Sequence, residues 1–103
     1  LWTIFCIYDI HCMKISFDPA KRDWTLQERG LAFEDAEFVL RGPVYERPDL
    51  RVDYGESRIQ TFGYLEGRMV VIVWTLRGDV HHIISMRKAN GREVKANAPK
   101  IFR

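Results

Sequence analysis

Apolar positions are densest between Met69 and Leu76, where MVVIVWTL leaves almost no polar gap and reads as a strand buried on both faces. Arg77-Gly78-Asp79 interrupts the run, and Gly78 is free to take a positive φ. The chain is therefore expected to turn back as a hairpin into a strand from Val80 to Met86. Glu66-Gly67 marks a second turn that sets Arg58 to Tyr64 against the other side of the central strand. Three antiparallel strands in a meander are the expected core.

Upstream the pattern changes period. Lys14 to Phe17 suits a short strand with Ile15 and Phe17 on one face, and Asp18-Pro19 then starts a helix by capping and by a proline that gives up no bond. Ala20 and Trp24, four apart, are expected on the inward face, with Leu26 and Leu31 extending the packing and Gly30 as the stop. A second short helix is predicted over Phe33 to Leu40, with Phe33, Ala36 and Leu40 inward and Glu34, Asp35 and Glu37 near its positive end. Val44 to Ser57 reads as a polar connector, with a possible strand fragment at Val44-Tyr45. Asn90-Gly91-Arg92-Glu93 opens a last helix, for which Ala98-Pro99 predicts an end near Asn97. Together these elements predict an α+β fold: an N-terminal strand and two helices packed on a mainly antiparallel sheet, with a short C-terminal helix.

Residues 1–12, LWTIFCIYDIHC, are mostly apolar but lack both the basic opening and the length of a secretion signal or membrane span. An extra edge strand, an interface arm that supports a homodimer, and translated sequence ahead of a start at Met13 are all compatible with them. Residues 13–103 read as one domain, since 103 residues bury one modest core. The two cysteines, Cys6 and Cys12, cannot form a disulfide framework and demand no oxidising compartment.

The formal charge of +2 is too small to imply nucleic-acid binding, but its distribution is uneven. Glu28 to Glu56 holds eight acidic and four basic residues, whereas Arg87 to Arg103 holds six basic and one acidic. A basic end on a compact body suits a phosphate-facing surface, and a solvated tail has the same composition.

The sequence lacks CxxC, GxGxxG, GxxxxGK[ST] and HExxH motifs. His81-His82 is a weak metal lookalike, because neighbours on a strand point to opposite faces. One exposed and one half-buried histidine is the plainer reading. On an unbroken last strand His82 and Lys88 share one face while His81 and Arg87 share the other. With Glu93 on the following helix and Arg58 and Glu56 beside the neighbouring strand, such a group can bind a phosphodiester and move a proton. The alternative is a set of solvated charges over sheet and helix.

Several ordered motifs carry a resemblance. They are Phe17-Asp18-Pro19-Ala20-Lys21; Arg29-Gly30-Leu31-Ala32-Phe33-Glu34-Asp35-Ala36; Gly67-Arg68-Met69-Val70-Val71; Arg77-Gly78-Asp79; Ile83-Ile84-Ser85-Met86-Arg87-Lys88-Ala89; and Arg92-Glu93. As a set, spanning about Met13 to Asn97, they resemble the BrnT toxin family of bacterial type II toxin-antitoxin systems. The resemblance implies a compact fold related to RelE-type ribonuclease toxins. It also implies RNA cleavage that arrests translation, a BrnA-like ribbon-helix-helix antitoxin as partner, DNA contacts mainly through that antitoxin, and a cytoplasmic location without membrane association. In the family pattern an asparagine is usual at Thr25, a lysine-histidine pair at Glu28-Arg29 and an arginine at His82. An aromatic residue is frequent at Asn97.

The combined expectation is a ribonuclease that needs no metal or other cofactor, in which the substrate's 2′-hydroxyl attacks the adjacent phosphorus. Arg87 and Lys88 are the leading electrostatic groups, and Arg58 and Arg92 are the expected phosphate contacts. His82 or Glu93 takes the 2′-hydroxyl proton, His82 being preferred for its ordinary pKa near 6.5. The runner-up is a noncatalytic regulatory protein that keeps the toxin fold and binds an antitoxin.

Overall fold

The computed structural model describes residues 3–5, 13–51 and 55–102. Six strands form one mixed, mostly antiparallel sheet: β1 (Thr3–Phe5), β2 (Ile15–Phe17), β3 (Val44–Pro48), β4 (Ile59–Leu65), β5 (Arg68–Arg77) and β6 (Val80–Lys88). Their spatial order is β1-β2-β6-β5-β4-β3, so the apolar run predicted to be central lies between β4 and β6. The β4-β5-β6 meander is as expected, with Gly67 at φ 78° and Gly78 at φ 64° making the two turns. β2 pairs with β6 in parallel, while β1 pairs antiparallel with β2. The cysteines of the opening segment lie outside the described residues.

The strand ladders sort the core into two faces. Ile15, Phe17, Val70, Ile72, Ile83 and Met86 pack with Leu31, Phe33, Ala36 and Val39. The last three come from a 3₁₀ turn, Phe33–Asp35, and from helix α2 (Ala36–Arg41), which follows it directly. On the opposite face Phe62, Met69 and Val71 pack with Ala89 and with Ile101 of helix α3 (Gly91–Ile101). An apolar layer on each side explains why β5 is hydrophobic at successive positions.

Four expectations change. Helix α1 (Pro19–Arg29) starts at the Asp18 cap and stops at Gly30 as expected, but Ala20 is exposed and Trp24 is 52% exposed. The buried residue is Thr25, and none of the α1 side chains joins either apolar cluster. Polar anchors hold the helix instead: Arg22 forks onto Glu34 with its shortest bond at 2.7 Å, and Arg29 Nη1 donates to the Met86 carbonyl at 3.0 Å. Trp24 stays outside, its ring under the Arg29 guanidinium at 4.9 Å.

The connector contains a full edge strand, β3, paired with β4 from Val44↔Gly63 to Pro48↔Ile59. Helix α3 runs through Pro99 to Ile101. A proline near a helix end forfeits one backbone bond, and here burial of Ile101 and stacking of Phe102 on Tyr64 at 5.4 Å offset that loss. Finally, β6 is not regular. Val73 pairs with Ser85 but Trp74 with Ile83, so Ile84 is an extra residue and the alternation of faces inverts there. No helix among the described residues is long and apolar enough to cross a membrane.

Candidate functional site

The inverted alternation decides which polar groups meet. His82 pairs with Thr75 and with Ser16, and therefore lies on the face of Val73, Val71 and Arg87. That face carries three rows across the sheet. The first, Tyr45-Phe62-Val71-Arg87, lies on the side covered by α3. The second is Arg47-Gln60-Val73-Ser85, and the third is Thr75-His82-Ser16. Arg58 precedes Ile59 by one residue, which gives it the face of Thr75, whose hydroxyl donates to the Ser57 carbonyl at 2.6 Å.

Buried polar residues gather here: Ser16, Gln60, Thr75 and His82 are all buried in the second and third rows. Cations surround them. Arg47 Nε donates to Gln60 at 2.9 Å and lies 5.0 Å over the Phe62 ring. The Lys21 pKa is lowered, first by burial and then by the nearby Arg58 guanidinium, with Arg29 adding to the effect. Cations that depress a neighbouring lysine in this way mark a place suited to an anion.

His82 is 4% exposed, and its Nδ1 lies 2.8 Å from the Ser16 hydroxyl. Its pKa is lowered, first by burial and then by Arg77; Lys21 also pushes it down, while Glu56 and Asp18 oppose the shift. The ring is thus neutral near pH 7, a proton acceptor and not a fixed cation. His81 points to the other face, against Trp74 at 4.7 Å between ring centroids. Neither histidine is exposed, which corrects the expected arrangement of the pair.

Arg87 and Glu93 form a two-pronged pair, with Nη1 to Oε1 and Nη2 to Oε2 both at 2.7 Å. Glu93 also accepts the Asn90 backbone N–H while the Asn90 side chain accepts that of Glu93, a capping box that fixes the carboxylate at the start of α3. The Arg87 hydrogen bonds are the main reason that the Glu93 pKa falls to about 2, so this group is a poor base at neutral pH. Arg87 Nε has no acceptor among the described residues, which leaves one edge of its fork for another anion.

The structure therefore brings His82, Arg87, Glu93 and Arg58 to one face. Lys88 is elsewhere: it pairs with Val70 on the opposite face and lines a cavity of about 310 Å³ with Asp35, Glu66 and Arg68. Arg92 is exposed on the first turn of α3. Sequence reasoning missed Ser16, Lys21 and Arg47. Ser16 was legible as the residue between two core-facing positions of β2, whereas Arg47 was hidden by reading its strand as a connector. No cluster of three or more metal-ligating side chains occurs among the described residues.

A family model described as the ribonuclease toxin BrnT of type II toxin-antitoxin systems matches residues 17–93. The match runs from the end of β2 into the first turn of α3 and includes His82, Arg87 and Glu93. A search of curated proteins found no match.

Proposed function

The chain belongs to the BrnT family of ribonuclease toxins of type II toxin-antitoxin systems, and we propose that it cleaves RNA, without a required metal, across the polar rows of the sheet. The observation that carries this reading is that His82, neutral near pH 7, shares one sheet face with Arg58, Arg47 and Arg87, while the charge of Lys21 on α1 acts on its ring. Cations recognise the phosphodiester backbone, and the neutral imidazole takes the proton of the ribose 2′-hydroxyl. The 2′-oxygen then bonds to phosphorus as the bond to the 5′-oxygen breaks, giving a 2′,3′-cyclic phosphate and, after protonation, a 5′-hydroxyl.

Residue roles follow from the rows. Arg58 shares the row of His82 and faces the scissile phosphate. Arg87 lies two same-face steps further along β6, about 13 Å away, and holds an adjoining phosphate. Glu93 is a positioning residue, because its carboxylate holds the fork of Arg87. Lys88 and Arg92 contribute charge outside this group. The partner is an antitoxin that covers the cationic face, of the BrnA-like ribbon-helix-helix type, and DNA is contacted mainly through it. A homodimer through the opening segment is compatible with this arrangement.

The test is a cleavage assay with the purified chain, excess chelator, end-group analysis and a substrate carrying one deoxyribose at the cut site. Cutting is expected to persist with chelator and to stop at the deoxy-substituted bond. His82→Ala should lower kcat by about 10²-fold or more, whereas Arg87→Ala should raise KM by roughly 10-fold to 100-fold. Cutting at the deoxy-substituted bond rejects the mechanism. A second reading, a noncatalytic protein that binds an antitoxin, is favoured by the small exposed surface of His82. Antitoxin binding without RNA cleavage would establish it.

A further inference from the structure

β2 contributes one buried hydroxyl to the polar face, and it lies directly beside His82. Ser16 is paired with His82 in the parallel β2-β6 ladder, and its Oγ lies 2.8 Å from Nδ1 with both residues buried. Ile15 and Phe17 on either side belong to the opposite apolar core, so the backbone that carries Ser16 is anchored from behind. The hydroxyl is held in place by the sheet and has little freedom to leave the ring.

An imidazole has two nitrogens, and the hydrogen bond made by one determines which proton state the other presents. A hydroxyl at Nδ1 can either donate or accept. We propose that Ser16 is a positioning residue whose Oγ accepts the Nδ1–H of His82, so that Nε2 is the nitrogen that receives the proton of the 2′-hydroxyl. This inference rests on the reading of His82 as proton acceptor. Accepting at Nδ1 suits both states of the ring, since that N–H remains when Nε2 gains its proton. Among the described residues, the charges facing His82 are Arg77 at the end of β5, Glu56 ahead of β4, and Asp18 and Lys21 at the start of α1. Replacing Ser16 by alanine removes the oxygen at Nδ1 and leaves the ring in place.

The experiment uses the full chain labelled with ¹⁵N in histidine, as wild type, Ser16→Ala and Ser16→Thr. Ring-nitrogen shifts of His82 are followed against pH together with the pH profile of single-turnover RNA cleavage. The wild type is expected to hold the Nδ1–H tautomer once neutral, and Ser16→Ala to shift it toward Nε2–H. The same variant should cut about tenfold more slowly, with a displaced acid limb and unchanged KM. Ser16→Thr should restore both tautomer and rate. An Nε2–H tautomer in the wild type, or an unchanged tautomer in a folded Ser16→Ala chain, overturns the proposal. Normal cutting by His82→Ala overturns the proton-acceptor reading itself, and the shift measurement still reports separately whether Ser16 orients the ring.

Discussion

Replacing Glu93 by glutamine separates a positioning carboxylate from a catalytic base. Gln keeps the bond to the Asn90 backbone and one contact with Arg87, but loses the charge. Moving from an ordinary value of 4.5 to about 2 would correspond to about 3.4 kcal/mol if no solvent intervened. The side chains are 18% exposed for Glu93 and 35% for Arg87, so screening reduces the expected loss to about 1–2 kcal/mol at pH 7. The native pKa lies below the unfolded one, so this stabilisation is present above about pH 4.5 and fades as pH falls toward 2. Urea unfolding of wild type and Glu93→Gln at pH 7, 4 and 3 measures it directly. The two chains should differ most at pH 7 and converge in acid. A difference that is absent at pH 7, or equal at all three pH values, refutes the reasoning. Cleavage by the same variant should weaken but persist, and a loss of 10²-fold or more in kcat would return the role of base to Glu93.

Burial lowers the pKa of both His81 and His82, so the unfolded chain binds more protons below its histidine pKa near 6.5. Stability is expected to fall as pH drops from 7.5 to 5.5, and denaturant midpoints that stay level or rise would contradict this. A Cβ added at Gly63 would stand 2.6 Å from Val39 Cγ1 and 3.1 Å from Val44 Cγ1. Gly63→Ala should therefore cost about 1–3 kcal/mol in unfolding free energy, with part recovered by adding Val39→Ala; a Gly63→Ala chain as stable as the parent would show that α2 moves aside freely.

What was legible in the sequence follows the strength of the local signal. The β4-β5-β6 meander, the Asp18 cap and the stop at Gly30 rest on dense apolar runs, capping chemistry and glycine, and these act within a few residues. The inward side of α1 was misread because apolar residues were assumed to supply its anchor. Arg22 and Arg29 supply it through Glu34 and the Met86 carbonyl, partners 12 and 57 residues away. The helix end at Pro99 failed for a related reason: Ile101 and Tyr64 reward continuation, and neither is visible to a local rule. At the site, the residue types were legible but their faces were not. A single bulge at Ile84 moves His82 to the side of Arg87, and alternation alone cannot reveal an extra residue.

That bulge also bears on how the chain departs from the family pattern it resembles. The resemblance implies a histidine at the position of Arg29 and an arginine at that of His82, so the two residue types stand exchanged in this chain. Arg29 reaches β6 through the Met86 carbonyl, and its charge is felt by Lys21. The exchange moves the ring from helix to strand. On the strand it meets a partner fixed by register, Ser16. The other departures with buried side chains, Thr25 and Asn97, lie on α1 and α3, the helices that supply Lys21 and Glu93.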